Sequence, residues 1–279
     1  VFYEADFRAE APVAFALSSA GEAVYLSEAA ADGSTTGDVY GFSFGPQPVN
    51  RSVGRVATSA GARIAPLERP SFGIADPSSV EEFRTGAGEA NASAYVGPAV
   101  VSEVMYHPAG GGAEFVEVTN ATAAPVPLFA PGRTRDTWRL EGGIAFVFPP
   151  GMVLPPGGRA LVVGGDPDAF RRAVGTPLGV PVLGPFEGRL GDSGDVVRLV
   201  RPIHDQGAEP LFALEDVVAY RDRSPWPPLA DGAGPSLERL GLAVFGTEAA
   251  NWVAVARGGT PGRANSTPHG IFLPFAHQG

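Results

Sequence analysis

Cysteine is absent from the 279-residue chain, which excludes a disulfide framework, a thiolate nucleophile and a thiolate metal site, and leaves the redox compartment open. Lysine is absent as well, so all 20 basic residues are Arg, and Schiff-base chemistry through a lysine amine goes with it. The 30 acidic residues bring the net charge to −10. Scattered Arg in an acidic chain offer no basic patch for a phosphate backbone, so no nucleic-acid partner is expected. No apolar run approaches the roughly eighteen residues of a membrane-spanning helix. Val1 stands where an initiator Met would, which predicts a processed or excised segment without an export signal. Histidine is sparse: His107, His204, His269 and His277 lie far apart in the sequence. Neither an HExxH pair nor a GxSxG elbow accompanies them. The chain is therefore expected to be non-enzymatic, with no catalytic residue and no cofactor.

Glycine and proline, by contrast, number 38 and 28. Punctuation that dense leaves little room for long helices and suits short strands joined by turns. Alternation of period two predicts strands at 101–105, 114–119, 137–140, 144–148, 160–163, 195–200, 217–220 and 252–256. One helix is predicted over 166–174, with Asp166 as its cap, Pro167 at its first position and Phe170 toward the core. The predicted class is all-β.

The chain also repeats itself. LSSAGEAVYLS (17–27) aligns without gaps on LGDSGDVVRLV (190–200), matching Gly21 to Gly194, Glu22 to Asp195, Val24 to Val197 and Leu26 to Leu199. In the same order, SVGR (52–55) matches SLER (236–239), and PSFGIAD (70–76) matches GTPGRAN (259–265). Residues 98–189 have no counterpart before Leu17. This predicts a partial β unit at 1–85, a small, polar linker at 86–97, a complete unit at 98–265 and an apolar tail at 266–279.

Across 98–265 the pieces SEVMYHP, EFVEVTN, TWRLEGGIAFVFPPG, LPPGGRALVV, GRLGDSGDVVRL, VVAYRDRSPWP, DGAGPSLER and NW followed by TPGRAN resemble, in order, the bacterial lamin tail domain. The resemblance implies an immunoglobulin-like β-sandwich in tandem, the first unit incomplete, in an exported protein located outside the cell or on its surface. It implies a non-catalytic module, with no cofactor or catalytic residue to carry over. The first copy departs from the pattern: it lacks the SPWP segment and the front strands, and ends in PSFGIAD.

Several residues invite a site. In SEVMYHPAGGGAEFVEVTN (102–120), strand alternation turns Glu114 away from Glu117, so these two carboxylates do not share a ligand. Glu103 and His107 remain weak metal candidates, with a framework role for these polar groups the stronger expectation. Asp166 with Asp168, and Asp192 with Asp195, are weak calcium candidates against the simpler roles of helix cap and turn. Four of the five Asn, at positions 50, 91, 120 and 265, begin an Asn-x-Ser/Thr sequon, so Asn50, Asn91, Asn120 and Asn265 are candidate glycosylation sites. Trp138 and Trp252 are expected in the core, while Trp226, in SPWPP, is the better candidate for a carbohydrate-stacking platform, although the lamin tail resemblance implies a packed loop anchor there more often than a ligand contact.

An incomplete sandwich exposes apolar faces and strand edges, which proteins avoid or use for pairing. Phe2, Tyr3 and Phe7 at one end, and Ile271, Phe272, Leu273 and Phe275 at the other, are candidate assembly residues for strand addition to a neighbour. The expected function is a self-assembling structural protein, possible filaments arising by strand complementation between subunits. The alternatives are an adhesion module that positions a larger secreted protein on polysaccharide, and a fragment whose missing strands lie upstream.

Overall fold

The computed structural model describes residues 16–70, 79, 81, 91–204 and 209–266. Among the described residues the regular structure is mostly strand. In order, β1 to β4 are Glu22–Ala29, Thr35–Phe44, Val53–Thr58 and Gly61–Pro66. Then come β5 (Ala99–Met105), β6 (Phe115–Asn120), β7 (Val126–Pro127), β8 (Phe129–Ala130), β9 (Arg133–Thr137), β10 (Arg139–Gly142) and β11 (Ile144–Val147). β12 (Val153–Leu154), β13 (Arg159–Val163), the helix α1 (Pro167–Val174), β14 (Val182–Leu183), β15 (Glu187–Gly188), β16 (Gly194–Ile203), β17 (Leu211–Arg221), β18 (Leu237–Arg239) and β19 (Trp252–Val253) complete the fold.

From residue 99 onward two sheets face each other. One runs β14-β13-β6-β5-β18-β19 and the other β15-β11-β10-β16-β17. Their inner side chains merge into a single apolar cluster, to which Val104, Val116, Val162 and Leu237 come from the first sheet and Leu140, Val197, Leu199, Val218 and Tyr220 from the second. Alternation explains this sorting on β6, where Val116 and Val118 enter the core while Phe115 joins a second cluster on the outer face with Met105, Leu161, Val163 and Phe170. The helix covers that outer face. Its cap is the expected one: Asp166 accepts from the Ala169 N–H at 2.6 Å, Pro167 follows, and Gly175 closes the helix in the left-handed conformation. Asp166→Ala is expected to cost about 1 kcal/mol in a urea melt, the usual worth of such a cap.

Residues 252–256 were expected as one strand, but β19 ends at Val253. The Ala256 N–H is taken by the Glu238 side chain, which withdraws it from a backbone ladder. The expected linker is also more ordered in its second half than its composition suggests. The Tyr95 N–H donates to the Pro66 carbonyl and the Glu68 N–H to Ser93, so this stretch extends the β4 edge. The Tyr95 hydroxyl donates to Glu215 at 2.9 Å, and the Arg51 guanidinium lies 3.2 Å from its ring centre.

Among the described residues before 99 lie two separate hairpins, β1-β2 and β3-β4. The first has the same turn as the hairpin β16-β17. The Gly21 N–H donates to Ser18 and the Gly194 N–H to Gly191, each at 3.1 Å, and both glycines have positive φ. The Glu22 carboxylate accepts from the Ser18 N–H, as Asp195 does from Gly191. The ladders agree as well: Glu22 pairs with Phe44 and Val24 with Phe42, as Asp195 pairs with Tyr220 and Val197 with Val218. A Cβ on Gly21 would meet the Phe44 carbonyl oxygen at 2.5 Å, and one on Gly194 would meet that of Tyr220 at 2.6 Å. Backbone conformation and crowding thus require glycine at both positions. Gly194→Ala should therefore destabilise the protein by about 2 kcal/mol, read as a lower urea midpoint.

Among the described residues no helix is long and apolar enough to cross a membrane.

Candidate functional site

The even-numbered face of β1-β2 carries Val24, Leu26, Tyr40, Phe42 and Phe44. Leu26 is 72% exposed where its ladder equivalent Leu199 is at 0%, Tyr40 is 63% exposed where Asp216 is buried, and Val24, Phe42 and Phe44 are half-buried where Val197, Val218 and Tyr220 are at 0%. Between this face and the start of β3 lies an open apolar groove of about 540 Å³, walled by Val24, Phe42, Phe44, Pro48 and Val53, with Arg51 as its charged residue. The opposite face is mixed, with Ser27 and Ser43 beside Tyr25 and Val39. Tyr25 and Val39 are exposed there, and Gly41 leaves room for the Tyr25 ring to lie across β2. A two-stranded ribbon exposing apolar side chains on both faces is marginal alone and is a candidate for pairing.

The pair of facing sheets holds a second notable arrangement. Glu103 on β5 stands directly opposite Glu117 on β6 and Glu238 on β18, and all three are fully buried. Like charges placed this way repel, yet each carboxyl is occupied. Glu103 accepts from the Ser236 hydroxyl at 2.5 Å and the Thr260 N–H at 2.7 Å. Glu117 accepts from the Ser102 hydroxyl and the Gly262 N–H, both at 2.7 Å, and pairs with Arg159. Glu238 accepts from the Thr260 hydroxyl and the Ser266 N–H. The row therefore straps residues 260–266 across the outer face of the sheet. Burial pushes the Glu103 carboxyl up to about 8 and also raises Glu117.

The metal candidates are dispersed. His107 hydrogen-bonds Asp231 at 2.6 Å, with no partner in common with Glu103. Asp192 pairs with Arg189, while Asp195 accepts from the Gly191 and Val196 N–H groups. Glu114 caps the Leu190 N–H and pairs with Arg189, well separated in its contacts from Glu117. Among the described residues no group of three or more His, Asp or Glu is arranged to hold a metal ion.

Of the sequon residues, Asn120 is buried with its amide nitrogen donating to Ala124, Leu154 and Pro155. Asn265 donates to Ser102 and Arg239, and Asn91 to Arg55. These amides serve the fold, and Asn120 in particular is closed to a transferase; Asn50 sits exposed in a turn with positive φ. Trp226 is packed as a loop anchor and not as a ligand contact: the ring is 1% exposed, its centre 6.2 Å from that of Trp252. Trp138 and Trp252 are buried as well, so no tryptophan forms a sugar-stacking platform. Phe2, Tyr3, Phe7, Ile271, Phe272, Leu273 and Phe275 lie outside the described residues, as do His269 and His277.

A further apolar pocket, about 460 Å³, opens between the glycine-rich turn at Pro108–Ala113 and α1, lined by Met105, Phe115 and Phe170 with Arg257 at its wall. Compared with protein-family models, characterised proteins and solved structures, the chain matches none.

Proposed function

We propose that the chain is a non-enzymatic structural module that assembles with copies of itself outside the cell or on its surface. In this reading residues 98–265 form a lamin-tail-type, immunoglobulin-like sandwich, and the preceding unit is a related but incomplete one. The observation that carries it is the apolar face of β1-β2, where the ladder equivalents of Val24, Leu26, Phe42 and Phe44 in β16-β17 lie in the core of the sandwich. Apolar burial contributes roughly 25 cal/mol per Å², so covering that face is a substantial driving force. Sedimentation velocity of the full chain over a hundredfold concentration range, with electron microscopy of the same samples, tests the proposal. Larger species growing with concentration are expected, reduced by Phe42→Asp. A chain that stays monomeric throughout would exclude self-assembly.

A further inference from the structure

The sandwich at 98–265 displays what its hairpin β16-β17 requires for completion. On its inner face β17 meets β5, and the Tyr106 ring that follows β5 stacks on Tyr220 with centres 4.5 Å apart. Along its outer edge β16 pairs antiparallel with β10, joining Leu199 to Leu140 and Val197 to Gly142. Carried over to the first unit by the shared register, the inner-face site is the groove beside Val24, Phe42 and Phe44, and the edge is that of β1. Among the described residues β1 pairs with β2 alone. The missing element is therefore an extended apolar segment with an aromatic side chain, running antiparallel to β1.

Resting on the assembly reading above, we infer that this element is the segment Ile271–Phe275 of a second copy of the chain. In an extended conformation Phe272 and Pro274 share one face, apolar side chains at the spacing of Leu26 and Val24 across the ladder. Residues 267–279 contain no Asp, Glu or Arg, so no charge is buried when they enter a groove whose charged residue is Arg51. Pro274 fixes the orientation. It has no N–H, so its backbone must face away from β1. Residues 271, 273 and 275, whose backbone groups point the other way in an antiparallel ladder, then bond to the free edge of β1 at Ala23, Tyr25 and Ser27, which leaves Phe272 and Pro274 facing the groove beside Leu26 and Val24. The same proline blunts the new outer edge against a further strand. Growth proceeds unit to unit, head to tail, rather than by lateral stacking of sheets.

The test compares the full chain with a chain ending at Ser266, using a labelled synthetic peptide of residues 267–279 as probe. The full chain should associate with concentration, the shortened chain should not, and the peptide should bind the shortened chain one to one. Val24→Asp in the groove, or Phe272→Asp in the peptide, should weaken that binding at least tenfold. The peptide variant keeps the test clear of folding effects, and Leu178→Asp, at an exposed position of the second unit, should leave binding unchanged. Equal association of full and shortened chains would overturn the tail as donor while leaving self-assembly standing. A monomeric full chain that binds peptide once shortened would place the tail in its own groove and overturn the exchange between copies. No association and no peptide binding would remove both.

Discussion

Arg239→Ala is expected to destabilise the sandwich by about 3–5 kcal/mol, the cost of breaking a buried ion pair by removing one partner. The Arg239 side chain is inaccessible to solvent, and its carboxylate partner on β17, Asp216, is nearly so. One guanidinium nitrogen donates to Asp216 at 2.5 Å and to the Val101 carbonyl at 2.9 Å, while another reaches Val244. Asp216 in turn accepts from the Val101 N–H at 2.8 Å. The pair thus ties β5, β17 and β18 together across the two sheets. Truncation strands the aspartate without water and leaves the Val101 carbonyl short of a donor. Asp216→Asn should cost less than Arg239→Ala, since the amide oxygen still accepts from Val101. Urea denaturation of both variants checks the order; equal, small losses would show that the pair contributes little.

Neither this pair nor the carboxylate row is legible in the sequence, and the reason is physical. Alternation separates Glu114 from Glu117 and sends Val116 and Val118 inward, because it depends only on neighbours along one strand. The turn at Gly194 repeats that at Gly21 because positive φ and a nearby carbonyl demand glycine in both. What faces what across strands depends on register. A bulge at Ser102 places Val101 and Val104 both in the core and brings Glu103 opposite Glu117. Half of β17 escapes the periodic pattern for the same reason. Glu215 and Asp216 interrupt the apolar run of Leu211–Leu214, and their partners Arg201, Tyr95 and Arg239 come from elsewhere in the chain. Trp226 sits in a proline-rich loop, where composition suggests exposure, and is buried by tertiary packing.

Stability should fall as pH rises from about 5 to 8. Glu103, held up to about 8 by burial, keeps its proton in the folded state over a range where an unfolded glutamate, with an ordinary value of 4.5, has released it. The folded state then binds more protons than the unfolded one, and the linkage relation makes stability decrease with pH throughout that window. Below about 4.5 both states are protonated and the effect vanishes. At about 1.4 kcal/mol per pH unit for one proton, the loss across the window is on the order of 4 kcal/mol. Glu117 and Glu215, both raised by burial, act in the same direction. Glu103→Gln removes the titration while retaining an oxygen to accept from Thr260 and Ser236. It should flatten the slope and leave the variant at least as stable as the wild type at pH 8. Urea midpoints at pH 5, 6, 7 and 8 for both proteins decide it. A wild-type midpoint that is level or rises with pH would mean that Glu103 is ionised in the fold. The strap at 260–266 would then be held by a carboxylate, and Glu103→Gln would weaken it instead.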